Sequence, residues 1–166
     1  MRVTEIATVA ETRYAAASAV YQGKVAVSGG RVRGGGSYVE LNTCEVYDHV
    51  ANEWSIMPSM VYPKSNHGMV AVRSRLFAIS PHYEFCEAFD TISNKFAVVK
   101  PPSSWLIESL HIAAASVGSK IVVFGRHSGF LKVAFYDVEG DEWGMVYWSK
   151  DYYPGQYCFC VKIPQI

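Results

Sequence analysis

The chain has 166 residues, half of them apolar and 14% aromatic, with 15 Lys+Arg against 15 Asp+Glu and zero formal net charge. That length and apolar content suffice for a cored domain and exclude a disordered tail. Balanced charge lacks the basic excess expected of a general nucleic-acid binder, and no apolar run reaches the 18 residues of a membrane span.

Residues 1–12 carry Val3, Ile6 and Val9 and read as an outer strand, the tail of a preceding unit. Residues 13–60 read as a unit of four strands, at 14–20, 24–28, 43–47 and 54–57. Gln22-Gly23 supplies a tight turn between the first two strands, and Asp48 to Glu53 a turn between the last two. Residues 61–105 and 106–153 read as second and third units of the same kind. Residues 154–166 read as the first strand of a further unit, because 157–161 alternate before Pro164. No segment sustains a 3.6-residue apolar period, so almost no helix is predicted.

Three signals recur in order across these units. An apolar strand reaches a turn at Gly29-Gly30, at Ser80-Pro81 and at Gly125-Arg126. An aromatic is followed by Asp at Tyr47-Asp48, Phe89-Asp90 and Tyr136-Asp137. A large aromatic stands six residues after each Asp, at Trp54, Phe96 and Trp143. The first strand of each unit is rich in small residues, at 15–19, 68–71 and 113–116. Alanine runs favour helix, but each is short and followed by a turn and a β-branched run. Small side chains let strands converge on a common axis, and the recurring aromatics would fill the wider wedge between neighbouring units.

These residues resemble the kelch repeat: an apolar strand ending in Gly-Gly, then Tyr-Asp, then Trp six residues on, then a turn into an Arg that opens the next repeat. The first unit matches with Arg13, Gly29, Gly30, Glu45, Tyr47, Asp48 and Trp54. The second departs at Lys64, Ser80-Pro81, Phe89 and Phe96, and the third at Ser109 and Arg126. The resemblance implies an all-β fold, a partial kelch β-propeller of about three four-stranded antiparallel blades whose ring is not closed. The chain would begin and end inside blades. It reads as part of a longer propeller or as a divergent short relative, and the isolated polypeptide is expected to associate through its bare blade faces.

The resemblance extends to kelch-like proteins, in which an N-terminal BTB domain binds a cullin and the propeller recruits the protein to be ubiquitinated. It implies a protein–protein interaction module, a cytoplasmic ubiquitin-ligase substrate adaptor that meets the cullin only through a BTB region outside these residues. Actin binding is the alternative, since other kelch proteins bind filaments. A kelch-fold enzyme is a third reading, but the Tyr, Cys and His of the family's copper oxidase have no counterpart positions here. No catalytic residue, cofactor or metal is expected.

The sequence offers little other chemistry. Residues 29–36 hold five glycines, but no Lys-Ser/Thr and no helix pattern follow, so a phosphate cradle is unsupported. The segment reads as a mobile connection between strands. The four cysteines, Cys44, Cys86, Cys158 and Cys160, lack paired C-x-x-C spacing and read as free thiols of a reduced, cytosolic protein. The histidines are dispersed, with no pairing that suggests a metal site.

In kelch propellers the partner sits over the loops between the second and third strands and the links between blades. Carried onto this sequence, the candidate contacts are Arg13 and Lys64 at the repeat starts, then Arg31, Arg33 and Tyr38. Further loops add Tyr62, His82, Tyr83, Trp105, Arg126 and His127. Arg, Tyr and Trp are the residue types enriched at hot spots, and a basic rim favours an acidic segment of a partner.

Overall fold

A computed structural model describes residues 5–80, 86–99, 112–127 and 130–149. The described residues are strand, turn and loop, without helix. The first sheet takes its strands in the order β1 (Ala17–Tyr21), β2 (Lys24–Ser28), β5 (Cys44–Asp48) and β6 (Glu53–Met57). Between β2 and β5 stands a two-stranded ribbon, β3 (Arg31–Gly34) and β4 (Ser37–Glu40). The second sheet runs β7 (Gly68–Val72), β8 (Arg75–Ile79), β9 (Glu87–Asp90) and β10 (Lys95–Val98). The third runs β11 (Ile112–Val117), β12 (Lys120–His127), β13 (Phe130–Asp137) and β14 (Glu142–Ser149). All pairings are antiparallel between sequence neighbours, apart from the ribbon excursion. These are three propeller blades in an open arc.

The repeat signals mark equivalent places on the ladders. Tyr47 pairs with Val25 and Trp54, Phe89 with Leu76 and Phe96, and Tyr136 with Ile121 and Trp143. The Asp after each aromatic closes the turn that follows, its carboxylate accepting backbone N–H bonds from the residues two and three further on, such as Val50 and Ala51. This fixes the six-residue step from Asp to the second aromatic.

The small-residue strands are the inner ones. β7 packs against both β1 and β11, and a methyl group built on Gly68 would come within 2.9 Å of Ala114 Cβ. Between the blades lie two apolar clusters. One joins Tyr21, Cys44, Met57 and Met60 to Leu76, Phe89 and Phe96. The other joins Val70, Phe77 and Ile79 to Ile121, Val123 and Tyr136, with Trp143 partly covered beside it. The wedge aromatics of the second and third units therefore sit where the sequence places them. Tyr47 and Trp54 lie on the opposite face of the first blade and are only half-buried. On that face Val20 and Ile56 are 70% and 83% exposed.

Residues 5–13 form no ladder, in contrast to the outer strand expected there. They run as an extended cover along the first blade, where Trp54 Nε1 donates to the carbonyl of Ala7 at 2.8 Å. Tyr14 makes only an isolated bridge to Arg31, and β1 begins at Ala17 because Ala15 turns the chain with a φ of 54°. Residues 154–166 lie outside the described residues.

Candidate functional site

Antiparallel meanders sort their connections to two ends. The β1–β2 and β5–β6 turns share one end with the corresponding turns of the other blades. Among the described residues, the ribbon between β2 and β5 and the link from β6 to β7 share the other. Arg31, Arg33, Tyr38 and Tyr62 all lie at this second end, as does the end of β12, where the backbones of Arg126 and His127 pair with Leu131 and Phe130. His82, Tyr83 and Trp105 lie outside the described residues.

The base of this end is built on the first diglycine. Gly29 and Gly30 have φ of 58° and 93°, where an L-residue is strained. A Cβ on Gly29 would stand 2.3 Å from the carbonyl oxygen of Lys64, and one on Gly30 would stand 2.7 Å from that of Tyr14. The close approach lets Gly30 N–H donate to the Lys64 carbonyl at 2.9 Å, and Lys64 N–H in turn donates to Leu41 at 3.1 Å.

Two of the expected contact residues belong to this base and not to the surface. The Arg13 side chain is 4% exposed. Its guanidinium donates to the carbonyls of Gly29 and Thr43 at 3.0 Å each and to Glu45 Oε1 at 2.5 Å. Lys64 is 3% exposed, and its ammonium is bonded to the fully buried Glu87. Glu87 also accepts the backbone N–H of Val61 at 2.6 Å and of Tyr62 at 3.0 Å. Both cations satisfy a carboxylate on the third strand of their blade and leave nothing to offer a partner. The rim reading of Arg13 and Lys64 is therefore corrected. A buried charge needs a partner, and the chain provides one two residues before the aromatic-Asp pair in each of the first two blades.

The segment expected to be a mobile connection is the β3–β4 hairpin. Gly35 and Gly36 take φ of 56° and 90°, as a two-residue hairpin turn of the primed type requires. Tyr14 anchors β3 through paired bonds with Arg31, 3.1 Å and 2.8 Å, and Leu41 N–H donates to Gly30 at 2.9 Å below it. Arg31 is paired with Glu40 at 3.0 Å, and Ser65 Oγ donates to the same carboxylate oxygen at 2.6 Å. Arg33 is exposed and has no ion pair among the described residues. Tyr38 is 62% exposed and meets Tyr14 edge-to-face at a centroid separation of 5.3 Å. Val39 and Val61 are exposed as well. Tyr14 and Val61 were not among the sequence candidates. Adjacency to Arg13 and Tyr62 was the available signal.

Among the described residues, Ser28, His67 and the thiols of Cys44 and Cys86 are sealed from solvent. Ser28 Oγ lies 2.8 Å from His67 Nε2, but both residues are buried, and His67 Nδ1 has no partner among the described residues. Burial and the nearby Lys64 charge lower the His67 pKa to about 3, so the ring is neutral. Burial likewise pushes the thiols of Cys44 and Cys86 up to about 12 and about 11, which leaves them protonated and inert. Among the described residues no group of His, Cys, Asp and Glu could hold a metal ion. No helix of the described chain is long and apolar enough to cross a membrane. A cleft of about 410 Å³ between the first two blades is lined by Tyr21, Lys24, Met57, Phe89 and Asn94 among others, with no paired acid and base.

Comparison with known proteins agrees with this architecture. Residues 12–61 match the family model described as Kelch motif. Kelch-like protein 7 of Rattus norvegicus is 31% identical over 111 residues, which is 62% of this chain and 18% of that protein. Kelch-like protein 26 of Danio rerio is 23% identical over 155 residues, 86% of this chain and 25% of that protein. The chain thus spans a quarter or less of the length of these relatives. The solved structure titled "Structure of YjhT" superposes with a TM-score of 0.66 at 16% identity, over 81% of this chain and 52% of that one. That likeness speaks to the fold. Residues 12–61 thus carry a kelch motif, the described blades have the β-propeller fold, and the chain is similar over part of its length to kelch-like proteins.

Proposed function

We propose that this chain is a protein-interaction module and serves as the substrate-recognition propeller of a cullin-type ubiquitin-ligase adaptor. The observation that carries the reading is the β3–β4 hairpin. It presents Arg33, Tyr38 and Val39 to solvent on a base held by buried ion pairs and backbone bonds. Recognition loops on a rigid scaffold bind at low ordering cost. The similarity to kelch-like proteins supports the adaptor role, with the cullin contacted through a BTB region and not through these blades. A binding role is favoured over catalysis because Ser28 and His67, the one nucleophile–base contact described, lie out of reach of a substrate.

Affinity capture with the full-length gene product tests this. Recovery of a cullin together with a discrete partner that Arg33→Glu releases is expected. Absence of any cullin removes the adaptor role. Co-sedimentation with actin filaments would replace it with a cytoskeletal one.

A further inference from the structure

The two edges of the β3–β4 ribbon differ: one is tied to Tyr14 at Arg31, and the other presents Tyr38. Its two-residue turn makes Gly34 and Ser37 a hydrogen-bonded pair, and the alternation carries on through Val32 with Val39 to Gly30 with Leu41. Arg31 and Arg33 on β3, and Tyr38 and Glu40 on β4, are therefore the residues whose N–H and C=O groups point away from the partner strand. On β3 this outward pair is used: Arg31 exchanges both of its bonds with Tyr14. On β4 the outward N–H and C=O of Tyr38 meet no described residue. Every residue of β4 is exposed.

The two faces of the ribbon differ in chemistry. Arg31, Arg33, Tyr38 and Glu40 share one face with the ring of Tyr14. Val32 and Val39 form the other, with Val39 52% exposed. The Arg31 charge is cancelled by Glu40, which leaves Arg33 as the uncompensated cation of the ribbon among the described residues.

We propose that the outer edge of β4 is a strand-addition site for an extended segment of a partner protein, one that alternates acidic with β-branched apolar residues. Main-chain bonds to Tyr38 supply the pairing, an acidic side chain on one face meets Arg33, and apolar side chains on the other continue the surface of Val32 and Val39. The edge is preorganised, because the hairpin is tied to Tyr14, Gly30 and Leu41 before any partner arrives. The inference rests on the reading of this end as the recognition surface, and it specifies the partner's chemistry.

The test uses the whole chain and a labelled peptide of about ten residues that alternates valine and glutamate, with binding followed by fluorescence anisotropy. Saturable binding is expected, and Arg33→Glu should weaken it by about tenfold or more. N-methylation of alternate peptide nitrogens on the pairing edge should abolish it, and this control leaves the protein unchanged. Tyr38→Pro, which removes an outward N–H and no ladder bond, should do the same. Binding that survives N-methylation, or is indifferent to Arg33→Glu, overturns the proposal. So does a dimer of the free chain that Tyr38→Pro dissolves, because the edge would then belong to a second copy. Peptide binding without any cullin association would uphold this inference and remove the adaptor reading. A cullin-bound partner unaffected by Tyr38→Pro would do the reverse.

Discussion

Replacing Glu87 with Ala isolates the buried charge on which the second blade is set. Glu87 is fully buried and accepts from the Lys64 ammonium and from the N–H groups of Val61 and Tyr62. Removing one partner of a buried pair costs about 3–5 kcal/mol, because the survivor stays charged and dry. Each orphaned N–H adds up to about 1–3 kcal/mol if water stays out. The truncation opens space that admits some water, so these contributions overlap and the expected loss is about 4 kcal/mol. With a urea dependence of about 2 kcal/mol/M, the unfolding midpoint falls by roughly 2 M. The double variant Lys64→Met, Glu87→Gln removes both charges and keeps an acceptor, and it should cost less than Glu87→Ala alone. Urea unfolding followed by tryptophan fluorescence measures all three chains. A loss below about 1 kcal/mol for Glu87→Ala, or equal losses for the single and double variants, would refute the claim that a dry ion pair holds this link.

Gly29→Ala should destabilise by about 2–4 kcal/mol, from left-handed strain plus the clash with the Lys64 carbonyl, while Gly35→Ala, with open space around it, should cost only about 1 kcal/mol; thermal melts of the two variants distinguish them. Trp54→Ala should cost about 2 kcal/mol, less than a full core truncation, since the ring is half-buried against Tyr47; a change below about 1 kcal/mol would mean its wedge is empty. The folded-state pKa of His67, about 3, lies below its unfolded value near 6.5, so the unfolded chain binds the extra proton and stability falls as pH drops from about 6.5 toward 3. His67→Gln should flatten that slope above pH 4.5, where Asp48, with its pKa lowered to about 2 by Lys24 and by the N–H groups of its turn, does not yet titrate. Because Val20 and Ile56 stand exposed on the outer face of the first blade, light scattering of the purified 166-residue polypeptide should show association; a monomer without dye-binding apolar surface would mean that face is covered.

Most of the blade architecture was legible because its signals are local. The aromatic-Asp step and the turn after it are set by hydrogen bonds spanning three residues, and small residues mark the crowded inner strands. The hairpin was also written in the sequence, since Val32 and Val39 flank Gly35-Gly36 symmetrically, but glycine density suggested mobility. Gly29-Gly30 and Gly35-Gly36 serve different needs, a close backbone approach and a primed turn. Side-chain roles were less legible. Arg13 and Lys64 look like Arg31 and Arg33 in composition, and only their distant partners, Glu45 and Glu87, distinguish them. The same nonlocality hid the cover that residues 5–13 lay along Trp54 and Glu45.

The third blade shows how these pairs are lost. Glu45 and Glu87 stand two residues before Tyr47 and Phe89, and the equivalent position before Tyr136 is Ala134, fully buried. The residue that opens the third repeat is Ser109 where the others have Arg13 and Lys64. Cation and carboxylate are thus both present or both absent in each of the three units. That is the pattern a low-dielectric site demands, since either charge alone is far costlier than neither. The opening cation of a repeat is then read by the residue two places before its aromatic-Asp pair. Where that residue is a carboxylate, as in the first two units, the cation is structural. Sorted this way, the cations at the recognition end of the first blade reduce to the ribbon arginines. Glu40 takes one of these, and Arg33 remains as the charge the described fold does not itself use.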